Sequence, residues 1–403
     1  MCRTGTRARG RDAIVRILLN AHADDPGSCV CITGLHRRLV EAGVDATLND
    51  WDHYDRYDVA VFMAYDDDMA AARSANPRIR IVLADPKQSA PRHLAVAREA
   101  DFLMVSSVEQ RDVFYRHNRN VLIHYMFPPM LAVDRVHVAK DPIVIGYHGN
   151  RVHLECMFET VTPALNALAK ARRIEFWALY NVDLLGRACI GLPDPALVPV
   201  RHIQWSQERA PGSFVSRVFY EDFAQVDIGI MPNAIPIRDR LAALESTAYP
   251  ESEFAYEPFD HLIRFKASTN PGRLYPFSRL GIPVVADFTP SASQFIRDGE
   301  SGFIVSSPHG WFEALGSLAS SADLRNRTAR GLRETVDRAY DRQVDDFLDF
   351  CARPLRKSVP VFDGIPTADD ELERLERYQR PRGPGRLNRI GRRLRRAVAD
   401  ESD

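Results

Sequence analysis

The sequence contains little cysteine and no long apolar run, and both absences limit what the protein can be. Six cysteines occur among 403 residues, and none forms a C-x-x-C pair. Their spacing suits neither a zinc site nor a disulfide framework, which predicts reduced thiols and a cytoplasmic protein. No apolar run approaches the ~20 residues that a membrane-spanning helix needs. Arg16 interrupts the first apolar run, so we expect a buried strand there and not a signal peptide.

The chain also carries almost no net charge. Its formal charge is −1, with 45% hydrophobic and 27% charged residues, which is typical of a soluble globular protein and does not indicate nucleic-acid binding. Positive charge is concentrated from Arg380 to Arg396, and an apolar stripe lies on the other helical face: Leu387, Ile390, Leu394 and Val398. This pattern predicts attachment to an anionic membrane surface. The alternative is a solvated tail, because Gly391 weakens the helix.

Short apolar runs alternate with helical patterns through most of the chain. The first series lies at 13–19, 59–63, 81–83, 102–105 and 121–124, with a helix expected at 28–42. A second series lies at 143–147, 174–179, 203–205, 228–231, 284–286 and 303–305. Runs without strict alternation predict strands buried on both faces of a parallel sheet. We therefore expect an α/β fold of two tandem Rossmann-like doubly wound domains.

The predicted domains are an amino-terminal domain at 11–135, a second domain at 143–350 and a helical, basic tail at 351–403. Two such domains leave a cleft between the carboxyl ends of their sheets, where ligands of these folds bind.

The segment IGYHGNRVHLE at 145–155 is a strand, a glycine turn and the start of a helix. Such a turn directs backbone N–H groups and the positive end of the helix dipole toward a ligand, which predicts an anion site. Arg151 and His153 would add positive charge to it. The alternative is a tight turn in which Gly149 supplies backbone freedom and the histidines are exposed.

A second polar run, KASTNPGR at 266–273, begins another predicted helix. Lys266 and Arg273 supply cationic groups suited to phosphate. Ser268, Thr269 and Asn270 can cap the helix and reach sugar hydroxyls. The alternative is an ordinary helix cap with two exposed basic residues.

Two further polar segments follow predicted strands of the first domain. His22, Asp24 and Asp25 lie in the first such turn, where one of them could act as a general base; the alternative is a turn rich in Asx and glycine. The segment from Tyr65 to Asp68 contains the D-x-D spacing of some metal sites. Acidic residues are common at helix starts because of the helix dipole, and we expect no metal there.

Four segments of the second half resemble, in order, the nucleotide-sugar-binding domain of GT-B glycosyltransferases: IGYHGNRVHLE, FYEDFAQVDIGIMPN, FKASTNPGRLYPFSRLGIPVVA and FIRDGESGFIVSS. The first half is similar only in its α/β pattern. The resemblance implies a metal-independent enzyme that moves a sugar from a nucleoside-diphosphate-sugar to a glycan, lipid-linked or other acceptor. The nucleotide sugar is a substrate, so no cofactor is implied.

The resemblance also implies roles for particular residues. Lys266 would meet the donor phosphates, Gly149 and Asn150 would line the diphosphate, and Asn270 and Arg273 would neighbour the sugar or a phosphate.

The sequence departs from that family at two positions. Many retaining members carry paired glutamates where this chain has Ser268 and Pro276, which leaves the stereochemistry of transfer open. Glu257 and Asp260 lie slightly upstream and could substitute for them. The alternatives to a glycosyltransferase are a nucleotide-sugar 2-epimerase on the same fold, and a catalytically inactive subunit that binds glycan or nucleotide.

Overall fold

The computed structural model describes residues 15–21, 29–63, 68–87, 91–206, 208–210, 215–233 and 270–356. Several predicted site residues lie outside these ranges: His22, Asp24, Asp25, Glu257, Asp260, Lys266, Ser268 and Thr269. Residues 65–67 of the D-x-D segment and the basic stretch from Arg380 to Arg396 also lie outside the described residues.

The first half of the described chain forms a parallel sheet in the order β2-β1-β3-β4-β5-β6. Its strands are β1 (Ile17–Asn20), β2 (Ala46–Leu48), β3 (Val59–Phe62), β4 (Arg80–Ala84), β5 (Phe102–Val105) and β6 (Val121–Ile123). Its helices are α1 (Gly34–Glu41), α2 (Asp68–Ala75), α3 (Pro91–Glu99) and α4 (Val108–Phe114), with a π-helical turn (Cys29–Thr33) before α1. The strand order reverses between β1 and β3, and β1, β3 and β5 are buried along their whole length.

The second half forms a parallel sheet in the order β12-β11-β10-β7-β8-β9. Its strands are β7 (Ile143–His148), β8 (Ile174–Tyr180), β9 (Val200–Gln204), β10 (Ile228–Met231), β11 (Val284–Asp287) and β12 (Phe303–Val305). Its helices are α5 (Arg151–Glu155), α6 (Val161–Ala169), α7 (Val182–Leu185), α8 (Val218–Glu221), α9 (Leu274–Arg279), α10 (Pro308–Ser320) and α11 (Ala322–Ala352). The prediction of two doubly wound parallel units is confirmed.

Apolar residues cover both faces of each sheet. In the second sheet, Ile145 and Tyr147 pack toward Trp311, while alternate strand residues pack with Phe219 and Phe277 on the other face. Burial on both faces is the reason that these strands consist of continuous apolar runs.

Helix α11 contributes to the cores of both halves. Its middle residues Leu332 and Val336 pack with the second sheet, and its last turns place Phe347 and Phe350 against the core of the first sheet. Ser321 caps its start by accepting a hydrogen bond from Leu324 N at 3.1 Å. Among the described residues, no helix is both long and apolar enough to cross a membrane.

The segment between the two sheets is held by the buried carboxylate of Asp227. Its oxygens accept hydrogen bonds from Arg135 Nη2 at 3.0 Å, Lys140 Nζ at 2.8 Å and Val144 N at 2.9 Å. A buried carboxylate is stable only when charged and hydrogen-bonding partners surround it. The network therefore fixes the entry to β7, the strand that leads to the candidate site.

Candidate functional site

The strand order of the second sheet reverses between β7 and β10, which lie side by side. In open α/β sheets, ligands bind outside the carboxyl ends of the strands at such a switch point. Two turns leave the sheet there. We call Gly149 and Asn150 the β7 turn, and Pro232 and Asn233 the β10 turn.

The carboxyl ends of the two sheets meet near this crevice. Glu109, in the first turn of α4 after β5, accepts hydrogen bonds from Ser291 N at 3.0 Å and Ser291 Oγ at 2.9 Å. Ser291 follows β11 of the second sheet. The carboxyl edge of one sheet therefore contacts that of the other through the start of α4 and the segment after β11.

Gly149 has a backbone that only glycine adopts easily, with φ at +140°. A Cβ at this position would lie 2.7 Å from the hydroxyl of Tyr147 and 3.1 Å from Cδ of Arg273. The β7 turn therefore rests directly on these two side chains. Residues 149 and 273, predicted separately from the sequence, lie side by side.

Arg273 connects the β7 turn to the β10 turn. Its Nη1 donates to the carbonyl of Pro232 at 3.1 Å, and its guanidinium carbon lies 5.9 Å from the centre of the Tyr147 ring. Burial lowers the pKa of Arg273 from its ordinary value, while Tyr147 and Asp287 oppose that change. Because arginine is not deprotonated in proteins, the group remains a cation at the switch point.

The β10 turn is anchored by Asp287, the last residue of β11. One carboxylate oxygen accepts a hydrogen bond from Trp311 Nε1 at 3.1 Å, and the other accepts one from the backbone N–H of Asn233. Because the carboxylate holds the turn from inside the domain, the Pro232 carbonyl that binds Arg273 has a fixed position.

Asn150 and Asn270 both use their side-chain oxygens as local caps. Asn150 Oδ1 accepts from Val152 N at 3.0 Å, and Asn270 Oδ1 accepts from Gly272 N at 2.6 Å. The Asn270 amide also donates to Met126 Sδ at 3.1 Å, in the segment after β6. Both residues therefore shape the two chain segments that approach the crevice.

Arg151, predicted to add charge to the site, is buried within the domain. Its Nε lies 3.2 Å from Glu155 Oε1, and Nη1 donates to the carbonyl of Leu185. The neighbouring carboxylate neutralises its charge. His148 and His153 are also buried, each with 6% exposure, so the histidines of this segment are not the exposed ones that the alternative interpretation requires.

Two site residues, Tyr147 and His148, were missed by the sequence reasoning. The Tyr147 hydroxyl donates to the Asn150 carbonyl at 2.6 Å, and His148 Nε2 lies 3.0 Å from the Arg273 carbonyl. Burial lowers the pKa of His148 to about 3, so the imidazole is neutral. Their place at the end of a strand before a glycine turn is the only sequence signal for them.

The predicted residues of the first domain come directly after strands that the structure describes. His22, Asp24 and Asp25 follow β1, and the D-x-D segment follows β3, its neighbour at the switch point of the first sheet. Pro276, which stands at one glutamate position of the family pattern, is buried in α9. Within the described ranges, no three histidine, cysteine, aspartate or glutamate side chains group as metal ligands do.

No protein-family model matches the sequence, and no curated protein matches it. Solved structures do match. HepE from Anabaena, crystallised with UDP-glucose, aligns with a TM-score of 0.50 at 12% identity over 83% of this chain and 99% of that chain. A glycosyltransferase from Rickettsia africae aligns with a TM-score of 0.50 at 10% identity over 85% of this chain and 99% of that one.

These matches define the architecture. The two parallel six-stranded sheets and their helices form two Rossmann-like domains arranged as in GT-B glycosyltransferases. The predicted fold class is therefore confirmed. At sequence identities of 10% and 12%, the similarity to these structures shows the fold alone.

Proposed function

We propose that the chain is a metal-independent glycosyltransferase that moves a sugar from a nucleoside-diphosphate-sugar to a glycan, lipid-linked or other acceptor. The observation that supports this most is the position of Arg273 at the switch point of the second sheet, beside Gly149 of the β7 turn and bonded to the Pro232 carbonyl of the β10 turn. A fixed cation beside a glycine turn suits a diphosphate, which needs both positive charge and close backbone approach.

Sugar transfer makes a diphosphate leaving group whose negative charge must be stabilised as the glycosidic bond to the donor breaks. Preorganised positive groups perform this without any reorganisation at the moment of reaction. We assign that role to Arg273 and Lys266, with Gly149 and Asn150 lining the diphosphate and Ser268, Thr269 and Asn270 beside the sugar. The binding of UDP-glucose by HepE supports a nucleotide-sugar donor and makes UDP the first probe.

The acceptor hydroxyl must lose its proton as it attacks the sugar. We propose that His22, Asp24 or Asp25 accepts this proton, because all three follow β1 at the switch point of the first sheet. General-base catalysis needs such a group within hydrogen-bond reach of the attacking oxygen.

The donor site is tested by calorimetric titration of UDP and GDP into wild type, Lys266→Ala, Arg273→Ala and Arg273→Lys. We expect each alanine variant to bind the preferred nucleotide at least about tenfold more weakly, because a charge-assisted phosphate contact is lost. Arg273→Lys keeps the charge without the two-pronged geometry, and we expect an intermediate affinity.

Arg201→Ala is the matched control, because Arg201 lies in the same domain and pairs with the carboxylate of Asp222 at the surface. We expect it to bind nucleotide as wild type does. Wild-type affinity in Lys266→Ala and in both Arg273 variants would show that the donor site has been assigned to the wrong residues.

A second candidate, a catalytically inactive subunit that binds nucleotide or glycan, is favoured by Ser268 and Pro276 at the glutamate positions. Neither side chain is a carboxylate. Incubation with radiolabelled nucleotide sugars separates the two candidates. Any hydrolysis or transfer above a heat-denatured sample rules out the inactive subunit, whereas nucleotide binding with no turnover of any donor supports it.

A further inference from the structure

We infer that Tyr147 and His148, the last two residues of β7, are positioning residues that hold Arg273 against the β7 turn. They would set the anion-binding groups in place before a ligand arrives. This inference rests on the proposed function, since it assigns their purpose to the same donor site.

The two side chains leave the strand on opposite faces, as consecutive strand residues do. Tyr147 enters the core on one face of the second sheet, among Leu154, Phe176 and Trp311. His148 enters the other face, where its ring centre lies 5.1 Å from that of Phe219 and 4.7 Å from that of Phe277. Each is locked by packing that is independent of the other.

Tyr147 acts on the turn and on the Arg273 side chain. Its hydroxyl donates to the Asn150 carbonyl at 2.6 Å and occupies the space beside Gly149. Burial raises the pKa of Tyr147, so the hydroxyl keeps the proton that this hydrogen bond uses. The guanidinium of Arg273 lies 5.9 Å from the ring centre, within the range of a cation–π contact.

His148 acts on the backbone of the same arginine. The distance from Nε2 to the Arg273 carbonyl is 3.0 Å, and a carbonyl only accepts, so Nε2 carries the hydrogen. Burial holds the ring neutral by lowering its pKa, and the hydrogen bond therefore adds no charge to the site. The short helix Pro271–Arg273 is thereby tied to the end of β7.

Arg273 is thus held twice from a single strand end, by its side chain on one face and by its carbonyl on the other. Binding sites whose groups are fixed in advance lose less entropy when the ligand binds. Removing either the Tyr147 or the His148 hydrogen bond should therefore weaken binding of a diphosphate, the group that Arg273 is proposed to contact. Binding of the rest of the nucleotide should be affected less.

The test is titration of UDP and UMP into wild type, Tyr147→Phe, His148→Phe and His148→Gln. If GDP binds wild type more tightly than UDP, GDP and GMP replace them. We expect Tyr147→Phe and His148→Phe to bind the diphosphate about fivefold more weakly, the effect of one lost hydrogen bond, and the monophosphate unchanged. His148→Gln keeps a donor near the position of Nε2 and should restore diphosphate affinity to within about twofold of wild type.

Tyr180→Phe is the matched control. Its buried hydroxyl bonds to Ala188 N at 2.9 Å and His202 Nδ1 at 2.8 Å, outside the site. This variant measures the effect of removing a buried tyrosine hydroxyl from the same domain, and we expect both nucleotides to bind it as they bind wild type.

Wild-type diphosphate affinity in both Tyr147→Phe and His148→Phe would overturn the inference. An equal loss for the monophosphate would also overturn it, because that pattern indicates general damage to the domain. If Arg273→Ala loses diphosphate binding while these two variants do not, only the positioning role fails. A wild-type protein that binds no nucleotide overturns the proposed function and the inference together.

Discussion

At the scale of single residues, Gly149 has little room for change. Its φ of +140° disfavours any side chain, and Tyr147 and Arg273 fill the space that a methyl group would need. Gly299 provides a comparison, because its φ of +75° is also positive but nothing lies within 4 Å of the place that a methyl group would take. Comparing alanine substitutions at the two glycines therefore distinguishes the effect of backbone strain from the effect of steric conflict at the site.

We expect Gly149→Ala to bind the preferred nucleoside diphosphate at least about tenfold more weakly, because the turn must move away from Arg273 to admit the methyl group. Gly299→Ala should lose only ~1–2 kcal/mol of unfolding free energy from backbone strain, with unchanged nucleotide affinity. Calorimetry and urea denaturation measure both quantities. Equal nucleotide affinity in Gly149→Ala and wild type would contradict the assigned turn.

Arg151 and Arg273 show how far single residues could be predicted. Both were predicted from sequence as cations of the donor site, because both lie near a predicted helix start after a polar turn. The structure gives Arg151 a carboxylate partner, Glu155, one helical turn away, whereas Arg273 reaches the Pro232 carbonyl across the crevice. The local pair could have been predicted from the i,i+4 spacing, but the long-range contact could not.

At the scale of elements, most strands were predicted closely, and two edge strands were not. The runs at 102–105, 228–231 and 303–305 coincide with β5, β10 and β12. The expected strand at 203–205 is instead β9 at Val200–Gln204, and β2 was not predicted. Both lie at sheet edges and contain polar residues, Thr47 in β2 and Arg201, His202 and Gln204 in β9, so no continuous apolar run marks them.

Helix α11 is an element whose packing no local pattern indicates. Its amphipathic period predicts a buried face but not that the last turns pack on the first sheet, where Phe347 has 0% exposure. The same turns bring Gln343 Nε2 to the Tyr125 carbonyl at 2.6 Å. The helix therefore joins the two halves of the chain.

We expect Phe347→Ala to lower the free energy of unfolding by ~3–5 kcal/mol, because it leaves a cavity in the first core. Asp349→Ala, on an outer face of the same helix, should change it by less than about 0.5 kcal/mol. Urea denaturation of both variants measures the difference. A loss no larger in Phe347→Ala than in Asp349→Ala would show that this end of α11 does not stabilise the first core.

At the scale of the whole molecule, three buried histidines connect stability to pH. Burial lowers the pKa of His124 and His148 to about 3 and that of His137 to about 4. In the unfolded chain each pKa returns to ~6.5. Below pH ~6.5 the unfolded chain therefore binds protons that the folded protein does not, and stability is lost as pH falls toward the folded values.

We expect the free energy of unfolding to decrease between pH ~7 and pH ~5, approaching ~1.4 kcal/mol per pH unit for each histidine well below pH ~6.5. His137→Gln should make this dependence shallower by about one histidine's share. Urea denaturation at several pH values measures the slope. If unfolding free energy depends on pH as steeply in His137→Gln as in wild type, burial does not lower the pKa of His137 in the folded protein.

The fold class could be predicted from the sequence because two series of buried strands alternate with helices. The candidate site could be predicted only in part. The turn at Gly149 and the arginine at 273 each have a local signal, but their contact follows from β7 and β10 being neighbours at a switch point. No polar sequence motif marks Tyr147 and His148. Their role depends on the face of β7 that each side chain occupies, which becomes clear only in the folded sheet.

The most direct test of the account is a crystal structure of the protein with UDP, or with GDP if that nucleotide binds more tightly. The proposed donor site predicts diphosphate oxygens within ~3.2 Å of the Arg273 guanidinium and in contact with the β7 turn. A diphosphate bound at the carboxyl end of the first sheet, or at any site away from Arg273, would contradict it.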